Sequence, residues 1–319
     1  MSIAPPPPPP PPPPVAPAVL GPSAGLPPGT PAWVTWSLLA IGVLGASVSA
    51  ILIRYAQEAH PLAISFWRCA AGALLLLPFT RGGFRSMQRN GWVLPAVAGF
   101  FLALHFATWI TSLELTSVAN SVLLVTTAPI FVAIAARYLL KERMKTIVWL
   151  GIALAFAGAA AIAGGAEGGE ASLRGDLLAL VGAVTVAGYA LAGQVARRDL
   201  GIIEYAVITY GVGAVLLLPI CLATGVELWG YSATTWAAIA GIVIGPQILG
   251  HTVLNYVVKD LDATTVYVAV MAEPPIAIAL AYFLFQETPS LLVYPGGLAI
   301  LIGILMVSVG RRQAPEILE

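Results

Sequence analysis

Between residues 33 and 310 the chain is a succession of ten apolar stretches, at roughly 33–53, 61–80, 92–112, 117–140, 146–164, 176–196, 203–223, 236–258, 263–285 and 291–310. Each approaches the ~20 residues that an α-helix needs to cross ~30 Å of hydrocarbon. The connections are too short to form a soluble domain of any size. Charged residues make up 9% of the chain, against roughly 25% in a soluble domain. Its mean hydropathy is +0.90. A core with a wetted surface does not need this much apolar sequence, so the solvent is a bilayer. The expected fold is an all-α membrane protein of ten transmembrane helices.

The flanks differ from this body. Pro5 to Pro14 is an unbroken proline run, and residues 1–32 carry no charge. Such a segment favours extended polyproline II without internal hydrogen bonds, so 1–32 is expected to be a disordered tail. A cleavable signal peptide fits badly, because no positive region precedes the first apolar run. Residues 311–319 form a second short tail. A net charge of zero argues against a nucleic-acid partner. Cys69 and Cys221 both fall within apolar runs and read as small hydrophobes, so neither a disulfide nor a metal site is expected.

Basic residues set the orientation. Arg81, Arg85, Arg89, Lys141, Arg143, Lys145, Arg197, Arg198, Lys259, Arg311 and Arg312 all fall on one side of a ten-span chain. The opposite loops hold Arg54 and Arg174 and collect Glu114, Glu167, Glu170, Glu227 and Glu287. Both termini are therefore expected in the cytoplasm.

The chain also repeats. At an offset of 145, "APIFVAIAARYLLKE" (Ala128–Glu142) lies on "EPPIAIALAYFLFQE" (Glu273–Glu287), with Pro129 on Pro274 and Glu142 on Glu287. The same offset sets Gly151 on Gly296 and Gly158 on Gly303. "AGALLLLP" (Ala71–Pro78) matches "VGAVLLLP" (Val212–Pro219) at 141, and His105 meets His251 at 146. The halves are 33–164 and 165–310. Because five spans is an odd number, they run in opposite senses. Inverted repeats belong to secondary transporters, which bind substrate near the midplane at the repeat interface.

Ten spans, inverted five-span halves and a proline-to-"KE"/"QE" pattern ending the fourth span of each half resemble the EamA domains of the drug/metabolite transporter superfamily. The resemblance covers about residues 33–310. Within it the chain is similar to bacterial amino-acid exporters, including the aromatic amino-acid exporters of the YddG type. It departs from the usual pattern at "QETP", where a basic residue often follows the Glu, so no basic residue adjoins Glu287 in the sequence. The resemblance implies a bacterial inner-membrane carrier with no cofactor and no enzymatic activity.

Ionisable groups at membrane depth cost on the order of 3 kcal/mol, so they face the bundle interior. Here they are Arg68, His105, His251 and Glu273, with the amides Asn120, Gln194, Gln247 and Asn255. Gln247, His251, Asn255 and Lys259 recur every four residues and stack along one helix face. His105, Thr108, Trp109 and Ser112 share a face of the third span, and Ser117, Asn120 and Thr127 share one of the fourth. Thr185 and Tyr189 lie one turn apart in the sixth, and Tyr210 lies near the middle of the seventh. Each has a structural alternative: intramembrane Ser, Thr and Asn often bond a neighbouring helix, Trp109 and Tyr189 can simply pack, and Arg68 can reach the outer interface or pair with a carboxylate. Glu273 has Ala128 as its repeat mate, so the shared scaffold does not demand it. It stands beside a proline kink, open to binding an ammonium, carrying a proton, or pairing with Arg68 or a histidine.

The candidate substrate-binding residues are His105, Trp109, Asn120, Tyr189, Tyr210, His251, Asn255 and Glu273. No catalytic or metal-binding residue is assigned. The expected activity is export of amino acids, with the aromatic preference resting on the resemblance, and of related small metabolites, by alternating access. A multidrug or nucleotide-sugar transporter is the alternative, though no cluster of intramembrane Arg or Lys awaits phosphates. A channel or an intramembrane enzyme stands further off. The partners implied are a small-molecule substrate and the lipid bilayer. The oligomeric state is not set, and a monomer is compatible with the sequence.

Overall fold

The computed structural model describes residues 30–312, except 81–83, 85, 86, 88, 117–120, 122, 123, 142, 165–172 and 286–290. Its regular elements are helices, arranged as ten spans in two five-span halves of opposite sense. In the first half these are α1 (Ala32–Ser47) continued by α2 (Ser49–Tyr55), α3 (Pro61–Leu76), α4 (Val93–Leu115), α5 (Ala128–Leu139) and α6 (Thr146–Gly164). In the second they are α7 (Leu173–Ala196), α8 (Ile202–Ala223), and α9 (Ala233–Ile242) leading through a π-helix (Val243–Thr252) into α10 (Val253–Leu261). They end with α11 (Ala263–Val270), α12 (Glu273–Phe285) and α13 (Val293–Arg312). The proline run, Asn120, Glu142 and Glu287 lie outside the described residues.

Many large apolar side chains face outward, among them Leu74, Val215, Leu222, Leu298 and Leu305. A belt of this kind is stable only against lipid. Helix ends are closed locally. His60 caps α3 by accepting from the Leu62 N–H at 3.2 Å, with Pro61 in the first turn where its missing N–H costs nothing. Asp262 opens α11 at φ +63°, and its carboxylate accepts from the Thr265 N–H and hydroxyl, both at 3.0 Å.

Glycines set the crossings on which the halves meet. An added Cβ on Gly158 of α6 would fall 2.5 Å from the carbonyl oxygen of Gly296 on α13, and one on Gly151 would fall 2.8 Å from that of Gly303. In α3 and α8, a Cβ on Gly72 would meet the Tyr210 ring at 3.3 Å, and one on Gly213 would meet Cys69 Sγ at 3.1 Å. Elsewhere the pairing repeats with the halves exchanged: α1 packs on the π-helix (Gly45 on Gly250), and α7 packs on α4 (Gly182 on Trp109).

The fourth span of each half is interrupted at the same repeat position. In the first half a turn at Thr126–Thr127 precedes α5, with Pro129 in its first turn. In the second, a turn at Met271–Ala272 precedes α12, and Glu273 is its first residue. The turns are held by short-range bonds, Thr127 N–H to Leu124 O and Met271 N–H to Val268 O. The proline expected to kink a continuous helix therefore starts a new one, the position where proline is tolerated.

Candidate functional site

The π-helix contains Pro246, which contributes no backbone N–H, and i→i+5 bonding of this kind recurs at functional sites. The carbonyl of Gln247 accepts the Thr252 hydroxyl at 3.1 Å and the Tyr210 hydroxyl at 3.3 Å. Those two hydroxyls also lie 2.8 Å apart, and with one proton each they satisfy two of these three contacts at a time, one hydroxyl donating to the other and the other to the carbonyl. Tyr210 of α8 thus fixes the π-helix, and its phenol is fully occupied in doing so.

Around this segment the structure assembles a continuous set of rings. Trp109 and His105, one turn apart on α4, stack with centroids 5.7 Å apart and planes 7° from parallel. His105 Nδ1 bonds the Gly182 carbonyl of α7 at 2.9 Å, which fixes the imidazole. Phe106 stands between the repeat-related histidines, with centroids 5.3 Å from His105 and 5.2 Å from His251. His251 meets Tyr189 of α7 at 5.8 Å. The Asn255 amide then donates to the Tyr189 hydroxyl and, at 2.7 Å, to the His251 carbonyl. Five of the sequence candidates, His105, Trp109, Tyr189, His251 and Asn255, are thereby connected across spans three, six and eight, and Tyr210 of span seven bonds the π-helix that carries His251.

Glu273 stands apart from that chain, at the N-terminus of α12, where the helix dipole favours a negative charge. Thr127 bonds back to Leu124 O at 2.6 Å and is occupied within its own turn. Gln194 accepts from the Ala263 N–H at 2.8 Å and ties α7 to α11.

Two residues enter the site that the candidate set omits. Phe106 gives no sign in an apolar run and is placed only by the contacts of its neighbours. Arg68 does not reach the interface, and among the described residues it forms no ion pair with a carboxylate. It is 1% exposed, its Nε donates to Gln247 Oε1 at 2.9 Å, and its guanidinium carbon lies 3.7 Å above the Phe106 ring. Its depth in the second span was the available signal. Arg197 is also buried rather than a loop charge: Nε donates to the Asn255 carbonyl at 3.1 Å, and Nη1 donates to the Leu200 carbonyl. It secures the end of α7 against α10.

The arrangement offers aromatic faces for a flat or apolar group and polar groups for a small charged head. Residues 33–164 and 173–309 each match the EamA-like transporter family. An uncharacterized transporter of Archaeoglobus fulgidus is 24% identical over 88% of this chain and 99% of its own length. The uncharacterized transporter YyaM of Bacillus subtilis is 27% identical over 80% and 86% respectively. A probable terminal-alkyne amino-acid exporter of Streptantibioticus cattleyicolor is 29% identical over 60% of this chain and 65% of its own. A solved crystal structure superposes with a TM-score of 0.73 over 89% of this chain and 99% of that one, at 18% identity, which speaks for the fold alone.

Proposed function

This chain belongs to the EamA-like transporter family, a family of multi-pass membrane transporters rather than enzymes, and we propose that it exports amino acids, aromatic and apolar ones foremost, by alternating access. The observation that carries this reading is the line of contacts from Trp109 through His105, Phe106, His251 and Tyr189 to Asn255. Its rings suit an apolar side chain, and Asn255, the histidines and Glu273 suit a zwitterionic head. Discontinuous helices in matching positions of inverted halves are where carriers bind charged groups. The exporter from Streptantibioticus cattleyicolor adds weight to the amino-acid class. The distribution of basic residues supports an orientation with both termini inside, and the similarity to bacterial transporters supports a bacterial cytoplasmic membrane. The operating unit is a pair of halves, 33–164 and 165–310, with 1–32 and 311–319 as cytoplasmic tails.

Counterflow in liposomes tests the proposal. Vesicles holding folded protein are preloaded with unlabelled phenylalanine, and labelled phenylalanine is added outside in trace amount. Saturable accumulation, blocked by tryptophan and less by alanine, is the expected result. Accumulation that only a flat organic cation produces moves the chain to multidrug transport, and none with any amino acid ends the amino-acid reading.

A further inference from the structure

Among the described residues, the two terminal amino groups of Arg68, Nη1 and Nη2, are buried and have no hydrogen-bond partner, and neither has Nε2 of Gln247. Gln247 is 0% exposed and spends its amide oxygen on Arg68 Nε at 2.9 Å. That bond turns its donor end free. The pair therefore presents three nitrogens that only donate, at a depth where water does not compete. Trp109 Nε1, on the neighbouring α4, is a further buried donor without a partner.

Such a group is expensive. A buried donor left unpaired costs about 1–3 kcal/mol and more when charged, and an uncompensated buried charge costs several. Contact with the Phe106 face returns on the order of 2 kcal/mol in a dry setting, and it supplies no hydrogen-bond acceptor to the amino groups. The shared scaffold does not demand the guanidinium. At the offset of 141 the repeat mate of Arg68 is Thr209, a neutral residue that bonds the Pro95 carbonyl at 3.2 Å. Glu273 likewise replaces an alanine, its mate Ala128. The Glu273 carboxylate does not hydrogen-bond either amino group of Arg68. The two interior ionisable residues that break the repeat are thus opposite in kind and, among the described residues, not joined by a hydrogen bond.

We propose that Arg68, held by Gln247 and Phe106, receives the carboxylate of the substrate, with Nη1 and Nη2 as a fork and Gln247 Nε2 as a third donor. A planar guanidinium fork matches a carboxylate in two parallel bonds, which an ammonium does not. The substrate class narrows to molecules with a free carboxylate, and Glu273 is the complementary partner for an ammonium. This rests on the carrier reading above and adds a specificity that the reading does not require.

The test uses the purified full chain and three probes: phenylalanine, 3-phenylpropionate (carboxylate without amine) and phenethylamine (amine without carboxylate). Binding is followed by intrinsic fluorescence in detergent, and counterflow is followed separately in liposomes. In the wild type, phenylalanine and 3-phenylpropionate are expected to bind at least about tenfold more tightly than phenethylamine, the worth of a charged hydrogen-bond pair. Arg68→Gln should erase that preference while phenethylamine binding persists. Arg68→Lys should recover part of it, and Gln247→Leu should reduce it several-fold. Gln247→Leu leaves the charge in place and so decides the matter if Arg68→Gln does not fold. Equal binding of phenethylamine by the wild type, or an undiminished carboxylate preference in a folded Arg68 or Gln247 variant, overturns the assignment. Loss of counterflow with carboxylate binding intact would sink the exporter reading and leave this one standing.

Discussion

Gly158 and Gly296 touch backbone to backbone: an added Cβ on the first would lie 2.5 Å from the carbonyl oxygen of the second. Gly151 and Gly303 repeat the contact at 2.8 Å, and Gly151 is the repeat mate of Gly296 as Gly158 is of Gly303. Each contact is therefore the other turned over, which sets a two-fold axis between α6 and α13. Gly72 against Tyr210 and Cys69 against Gly213 mark the same axis between α3 and α8.

Gly158→Ala is expected to destabilise the protein by roughly 1–3 kcal/mol, because a backbone carbonyl cannot move aside as a flexible side chain can. Gly211→Ala is the control. It also lies within a helix, but nothing stands within 4 Å of the new methyl. Its expected effect is a gain of up to about 1 kcal/mol. Thermal unfolding of the two variants in detergent should move in opposite directions.

Glu273→Gln should slow phenylalanine counterflow on the order of tenfold by removing the negative charge that complements an ammonium. The amide keeps the size of the side chain at the first residue of α12, so the thermal midpoint should stay within a few degrees of wild type. Full activity in the variant would take Glu273 out of the mechanism.

The hydroxyls of Tyr210 and Thr252 bond each other and share the Gln247 carbonyl. Tyr210→Phe and Thr252→Val should each cost about 1 kcal/mol, and the double variant should cost less than their sum, since each single change already breaks the shared bond. Strict additivity in a double-mutant cycle would show that the two hydroxyls act separately on the π-helix.

Glu58 ties the first loop to the start of α9. Its carboxylate accepts from the Ser232 N–H at 2.9 Å and the Thr235 hydroxyl at 3.0 Å. These bonds, the Ser232 backbone first, hold its carboxyl below the ordinary value of 4.5. A lowered pKa contributes stability that is present above the ordinary value and fades as pH falls through the folded one. Glu58→Gln should therefore melt below wild type at neutral pH, with the gap closing as the pH falls below 4.5 and through the lowered value of the folded carboxyl. A gap that is constant with pH would assign the effect to packing.

Much of the architecture was legible because lipid makes it so. Span length and the Pro129/Pro274 and His105/His251 matches carry the ten helices and the repeat, and the Gln247–His251–Asn255 stripe does mark an interior face. The partners were less legible. Helices bathed in lipid are apolar all round, so periodicity does not say which neighbour a face meets. Phe106 is invisible for that reason. Arg197 looks like a loop charge because one residue decides whether it lies beyond α7 or folds back under α10. The π-helix has a proline but no other mark, and the depth of Arg68 does not disclose that Gln247, 179 positions away in the chain, holds it.

The glycine crossings also have the form of an interface between like subunits. A contact in which one patch meets its own copy is the interface of a symmetric homodimer, and here both copies are in one chain. The α6–α13 seam is the one that two separate five-span chains, inserted in opposite senses, would have formed. Within one chain the two copies are free to differ where symmetry would forbid it. Arg68 against Thr209 and Glu273 against Ala128 are two places where they did, giving one charge to each half and a polarity that two identical subunits could not hold.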